Sequence, residues 1–192
     1  MDKVRMEAFS DAITTIVMTI LVLELSIPQT ADLNALLSMK EQFLVYVLSF
    51  FVLAIYWVNH HYLIHLADRI NEQVLWANIL CLFAITFVPF DTAWLGRNMD
   101  SLIPAMLYGI VYLIITVTYI LLQYSLIKCN GENSKIYNTL SGDNRLLITS
   151  VLGIISILLA FILPILTPIA CFLISAMWIF PTKIIRSCPL VR

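Results

Sequence analysis

Charge is scarce in this chain. Only 12% of its 192 residues are Asp, Glu, Lys or Arg, where a soluble domain carries roughly 25%. Hydrophobic residues make up 61%, and the mean hydropathy is +0.94. The net charge of −1 and the lack of any Lys/Arg block exclude a nucleic-acid surface. Five glycines leave no raw material for a phosphate-binding loop. The four cysteines, Cys81, Cys129, Cys171 and Cys188, are scattered without a Cys-x-x-Cys pair. They read as small packing residues, not as zinc ligands or a disulfide. Histidine occurs three times, at His60, His61 and His65. His61 and His65 have the four-residue spacing of a helical metal pair, but a membrane di-iron oxygenase needs several His-rich boxes and this chain has one cluster. No Ser/His/Asp constellation or facing pair of carboxylates can be assembled. The expectation is an integral membrane protein that is not an enzyme, with no cofactor and no metal.

What the chain does have is long apolar runs. Six segments can be delimited, at about Val4–Leu25, Gln42–Leu66, Gln73–Trp94, Leu102–Ile127, Arg145–Ile165 and Ala170–Phe180, the last continuing past Pro181 toward Ile185. The expected fold is all-α, a single six-helix transmembrane domain over residues 1–192. Ser26-Ile27-Pro28 ends the first segment, and Pro164 with Pro168 marks a tight return into the sixth. The stretch Lys128–Asn144, with Gly131 and Gly142, is the longest polar loop. An even number of crossings puts both termini on one side. Nine of the eleven Lys and Arg then fall on that side, leaving Lys40 and Arg97 on the other. This bias places the termini in the cytoplasm of a cell-membrane protein. Asp91, after Pro89-Phe90, reads as a helix terminator or interfacial anchor at the outer end. Glu24 reads as an outer-end carboxylate that either draws cations or is solvated or salt-bridged.

The first segment is the most informative. Arg5-Met6-Glu7-Ala8-Phe9-Ser10-Asp11 opens a helix, and an unbroken apolar run follows to Leu23. The run exceeds the roughly 7–15 apolar residues of a signal peptide and lacks a cleavage site. It is long enough to span a bilayer, which takes about 20 residues. At about 100° per residue, Ile16, Ile20 and Leu23 form one narrow stripe, with Thr19 about 60° to its side and Asp11 about 140° away. A carboxylate in or near a membrane helix costs about 2.5–3.5 kcal/mol at the centre and needs a partner. Arg5 lies about 120° round from Asp11 and is badly placed to pair along the helix. Both therefore point to side chains of other helices. The polar cluster should staple this helix to its neighbours while the Ile/Leu stripe faces elsewhere. His60 or Asn59 is placed to hydrogen-bond toward the cluster, and Trp57 to donate its indole N–H or pack on Arg5.

Arg5, Phe9, Ser10 and Asp11 make a complete Arg-x-x-x-Phe-Ser-Asp motif, which resembles the signature of the transmembrane protein 175 family of lysosomal and bacterial potassium channels. The likeness extends to Tyr56-Trp57-Val58-Asn59-His60-His61 and to Val88-Pro89-Phe90 with Trp94-Leu95-Gly96. It covers the first half of the chain well and the second half only in hydrophobic pattern. The resemblance implies a pore lined by the first helices of several subunits, with potassium as the permeant ion. It puts the apolar constriction on Ile16, Ile20 and Leu23, and the hydroxyl ring implicated in selectivity on Thr19. It makes Arg5, Phe9, Ser10, Asp11, Trp57, Asn59 and His60 a structural network. No second copy of the motif follows residue 100, so the likeness is to the single-unit form. One first helix cannot enclose a pore, which implies a homotetramer in the lipid bilayer. No Thr-Val-Gly-Tyr-Gly filter is present. A secondary transporter or small membrane enzyme is the alternative, but transporters show internal repeats and helices broken at the midplane, and here only Pro164/Pro168 suggests a break.

Overall fold

The computed structural model describes residues 2–179. They form helices α1 (Lys3–Leu23), α2 (Leu33–Leu37), α3 (Lys40–Leu66), α4 (Glu72–Ile85), α5 (Val88–Arg97), α6 (Leu102–Asn130), α7 (Lys135–Leu140), α8 (Arg145–Leu159) and α9 (Leu166–Ala176). Among the described residues, four stretches are long and apolar enough to cross a membrane: Lys3–Leu23, Lys40–Leu66, Glu72–Arg97 and Leu102–Asn130. The chain is thus an all-α, multi-pass membrane protein. The fifth and sixth expected segments are shorter. α8 has 15 residues and α9 has 11, giving lengths of about 22 and 16 Å against a hydrocarbon core of about 30 Å. α9 starts four residues earlier than the pattern suggested, because Pro168 sits within its first turn, where a missing N–H costs nothing. The expected end of the sixth segment, Phe180 to Ile185, lies outside the described residues.

The third span is broken at Thr86–Phe87, between α4 and α5. Pro89 has no N–H for the carbonyl four residues back, and its ring crowds that turn. The chain responds by tightening: Thr86 N and Phe87 N bond carbonyls three residues back, and the Thr86 hydroxyl donates to Phe83 O at 2.6 Å. Asp91 therefore does not end a helix at the membrane surface. It lies in the first turn of α5 and is buried, because the helix restarts behind the proline and runs on to Arg97.

Three contacts fix the directions of the long helices. Lys3 Nζ donates to the terminal carbonyls of α3, His65 O at 3.3 Å and Ala67 O at 2.8 Å, a cation at the negative end of a helix. Arg97, closing α5, donates to Glu24 O just past α1 at 3.2 Å. Asn130, closing α6, accepts from Asp68 N and Arg69 N at 3.0 and 2.9 Å. Successive spans thus alternate in direction. Beyond α9 the Trp178 indole donates to Thr149 Oγ1 near the start of α8 at 2.9 Å, so the chain returns toward the side where α8 began. The Arg145 guanidinium lies 4.5 Å over the Trp178 ring.

The two polar loops are more ordered than their composition suggests. α2 sits in the first, capped by Asp32, whose carboxyl is held below the usual range by the Ala35 N–H and the Thr30 hydroxyl. α7 sits in the second, with buried Ile136 in one apolar cluster with Leu63 and Leu66 of α3 and Leu126 of α6. Gly131 and Gly142 provide the left-handed turns on either side (φ 84° and 81°). On the far side of the bundle α6 meets the α8–α9 pair at Gly109, where a Cβ would lie 2.7 Å from Ile157 Cγ1 and 3.2 Å from Thr167 Cγ2.

Candidate functional site on the first helix

α1 begins at the N-cap Asp2, whose side chain accepts from Val4 N. Its buried residues are Met6, Ser10, Thr14, Val17 and Leu21, a stripe at spacings of three and four that packs against α3, α4 and α5. The stripe centred on Ile16, Ile20 and Leu23 lies about 110° round from it. These three are exposed, Ile16 at 56% and Leu23 at 78%. Arg5 and Phe9 fall on that same outward side and are also exposed. An uncovered apolar face in a membrane chain is ordinary when it meets lipid. Here it shares a helix with a polar cluster that reaches two other helices.

That cluster ties α1 to two different helices. The Ser10 hydroxyl donates to Met6 O at 2.8 Å and accepts from Asn78 Nδ2 of α4 at 2.9 Å. With the Asn78 amide so oriented, its Oδ1 accepts from His60 Nε2 of α3 at 2.7 Å, which fixes the proton of that imidazole on Nε2. All three side chains are buried, and His60 stacks on Tyr56 at 5.6 Å between ring centroids. Asp11, the next residue along α1, accepts from the Trp57 indole N–H of α3 at 2.8 Å. The charge on the carboxylate makes this the stronger type of bond.

The residues singled out from sequence thus divide. Ser10, Asp11, Trp57 and His60 come together. Asn59 does not join them: its side-chain amide donates to Ile55 O of its own helix at 2.8 Å, and its backbone carbonyl accepts from the Tyr119 hydroxyl. Trp57 meets Asp11 and not Arg5. His61 and His65 are exposed, and His65 contributes its backbone carbonyl to Lys3. Asn78 was missed. Its only signal in the sequence is a carboxamide alone within Val74-Leu75-Trp76-Ala77-Asn78-Ile79-Leu80, where a buried polar group must find partners.

Thr19 is exposed beside the Ile/Leu stripe, and its hydroxyl donates to Ile16 O at 2.8 Å. The proton is committed to the backbone, so the oxygen lone pairs are what Thr19 presents outward. At the outer end Glu24 Oε2 lies 4.0 Å from the Arg97 guanidinium, both side chains being about half exposed. Among the described residues no group of three or more His, Cys, Asp or Glu is placed to hold a metal ion.

Residues 5–89 match the family model described as Endosomal/lysosomal potassium channel TMEM175. A potassium channel of Chryseobacterium sp. (strain P1-3) is 34% identical over 183 residues, 95% of each chain. A potassium channel of Chamaesiphon minutus is 36% identical over 124 residues, 60% of this chain and 61% of that one. Among solved structures, the crystal structure of a lysosomal potassium-selective channel TMEM175 homolog from Chamaesiphon minutus superposes with a TM-score of 0.82 at 27% identity, over 92% of this chain and 96% of that one. The resemblance carried by Arg5–Asp11 therefore holds across nearly the whole length, and the chain belongs to the TMEM175 family.

Proposed function

We infer that the chain is a potassium channel of the TMEM175 family, a multi-pass protein of the cell membrane and not an enzyme. The observation that carries this reading is the 34% identity to a potassium channel across 95% of both chains. Permeation runs along an axis lined by α1 from four copies, each presenting Ile16, Ile20 and Leu23. Support for this comes from α1 itself, which buries one stripe inside the subunit and leaves a second apolar stripe exposed. A single helix encloses no pore, and closed cyclic symmetry brings identical stripes together. A ring of isoleucines cannot coordinate a cation, so it gates by narrowing and dewetting. The Thr19 oxygens, with their protons turned to Ile16 O, supply acceptor groups that partly replace the hydration shell of a potassium ion. The termini are cytoplasmic, an assignment that rests on the distribution of Lys and Arg.

The test is current across a planar bilayer holding the purified chain, with potassium on one side and sodium on the other. Unitary currents that reverse toward the potassium potential are expected, and Thr19→Ala should move that reversal toward zero. Silence under the gradient, with substrate-coupled uptake into vesicles, would overturn the reading.

A further inference from the structure

The third span carries a carboxyl group that permeation along α1 leaves unused. Asp91 is 2% exposed, and its Oδ1 has no hydrogen-bond partner among the described residues. The N–H and hydroxyl of the adjacent Thr92 face the carboxyl. The Asp91 amide is already committed to Phe87 O at 3.1 Å.

What surrounds this group is hydroxyl, not cation. α5 packs against α3, α6 and α1. Thr92 donates to Ser49 Oγ of α3 at 2.8 Å, and Ser49 shares a 3.0 Å hydrogen bond with the Tyr108 hydroxyl of α6. The Tyr108 phenol and, from α9, the Cys171 thiol lie close enough to feel a charge on Asp91. Neither offers a positive charge. From α1, Glu24 pairs with Arg97 at the far end of α5 and, with Tyr46 of α3, lines the small cavity that reaches Thr92. Neither Glu24 nor Tyr46 is a cation, and Arg97 lies six residues or about 9 Å along the axis from Asp91.

An ionised carboxylate presents about four lone-pair sites and, at membrane depth, requires donors or a counter-charge. A proton is the counter-charge that needs no cavity. It also turns a carboxylate with one unpartnered oxygen into a neutral acid beside the Thr92–Ser49–Tyr108 chain of hydroxyls. We propose that Asp91 is a proton-binding site inside each subunit, separate from the outward face of α1. Its bound proton lets the restarted helix α5 pack between α3 and α6, and removing that proton places an unpaired charge in this seam. The site therefore couples subunit packing to proton activity. It stands independently of the permeation reading.

Infrared spectra of the full chain in lipid vesicles at neutral pH test this. Water-facing aspartates, with an ordinary value of about 3.9, are then ionised, and of the seven aspartates Asp91 alone is buried. The expected result is a protonated-carboxyl C=O band that shifts when aspartate is labelled with carbon-13 at the side-chain carboxyl. Asp91→Asn should abolish it. If that variant does not fold, the labelled wild-type chain decides alone. Carboxylate bands only, a protonated band that the label does not move, or one that persists in Asp91→Asn would each overturn the proposal. None of these outcomes depends on whether the chain conducts.

Discussion

Replacing Asn78 by Leu keeps nearly the same volume between α1, α3 and α4 and removes both arms of the carboxamide. His60 Nε2–H and Ser10 Oγ each lose a partner, at 2.7 and 2.9 Å. Interhelical hydrogen bonds in membranes average about 0.6 kcal/mol each, so the two bonds set a floor near 1 kcal/mol. A buried donor left without a partner costs about 1–3 kcal/mol, and the His60 N–H becomes one. The expected loss is therefore about 1–3 kcal/mol. Ser10→Ala should cost less, because it leaves the His60–Asn78 bond in place. The double variant should cost little more than Asn78→Leu alone, since the Ser10 hydroxyl retains Met6 O once Asn78 is gone. Reversible unfolding in mixed micelles, followed by helical circular dichroism, measures all three. If the two single losses add to within about 0.3–0.5 kcal/mol, the side chains act independently and the relay from His60 to Ser10 is refuted. A wild-type unfolding midpoint for Asn78→Leu would refute it equally.

Asp11→Asn replaces a charge-assisted bond to Trp57 by a neutral one, a loss of about 1 kcal/mol. The fraction of the proposed tetramer, read by light scattering, should fall more than the potassium/sodium reversal potential moves; an unchanged assembly with altered selectivity would contradict this. Gly109→Ala puts a methyl 2.7 Å from Ile157 Cγ1, and such overpacking costs about 1–3 kcal/mol. Truncating Ile157 to Ala in the same chain removes that γ carbon and should restore part of the thermal stability. Ile20→Ser wets the narrow part of the proposed pore, and single-channel conductance should rise; an unchanged conductance would place the constriction elsewhere. Arg97→Ala should change unfolding stability by less than about 1 kcal/mol, because exposed pairs are screened, and high salt should erase the difference.

How much of this was legible in the sequence follows from what a period can encode. α1 is readable because one helical repeat sets both its faces, and the run from Ala12 to Leu23 continues it without interruption. Partners across helices are not periodic. Asp11 clearly needed a donor, but whether that donor was Trp57, Asn59 or His60 depended on how α3 is rotated, and Asn59 turned back to its own Ile55 carbonyl. Asn78 stayed hidden because one polar residue barely perturbs the hydropathy of an apolar run. No periodicity marks Pro89 as a helix break, so the sequence alone puts Asp91 at the outer end, whereas it is buried behind the restart. The close approach of α8 and α9 to α6 at Gly109 is a tertiary contact that no local pattern records.

The two anchors of α1 have a mechanical consequence. Ser10 and Asp11 are consecutive, so they leave the helix about 100° apart, one held by α4 and the other by α3. Two attachments at one level and at different azimuths resist a twist: turning α1 about its long axis would distort both hydrogen bonds at once. That degree of freedom is locked at the Ser10 end. The apolar stripe from Ile16 to Leu23 can therefore leave the axis only by tilting about this fixed point or by moving together with α3 and α4 as one body, and a twist of the helix alone is not available to it.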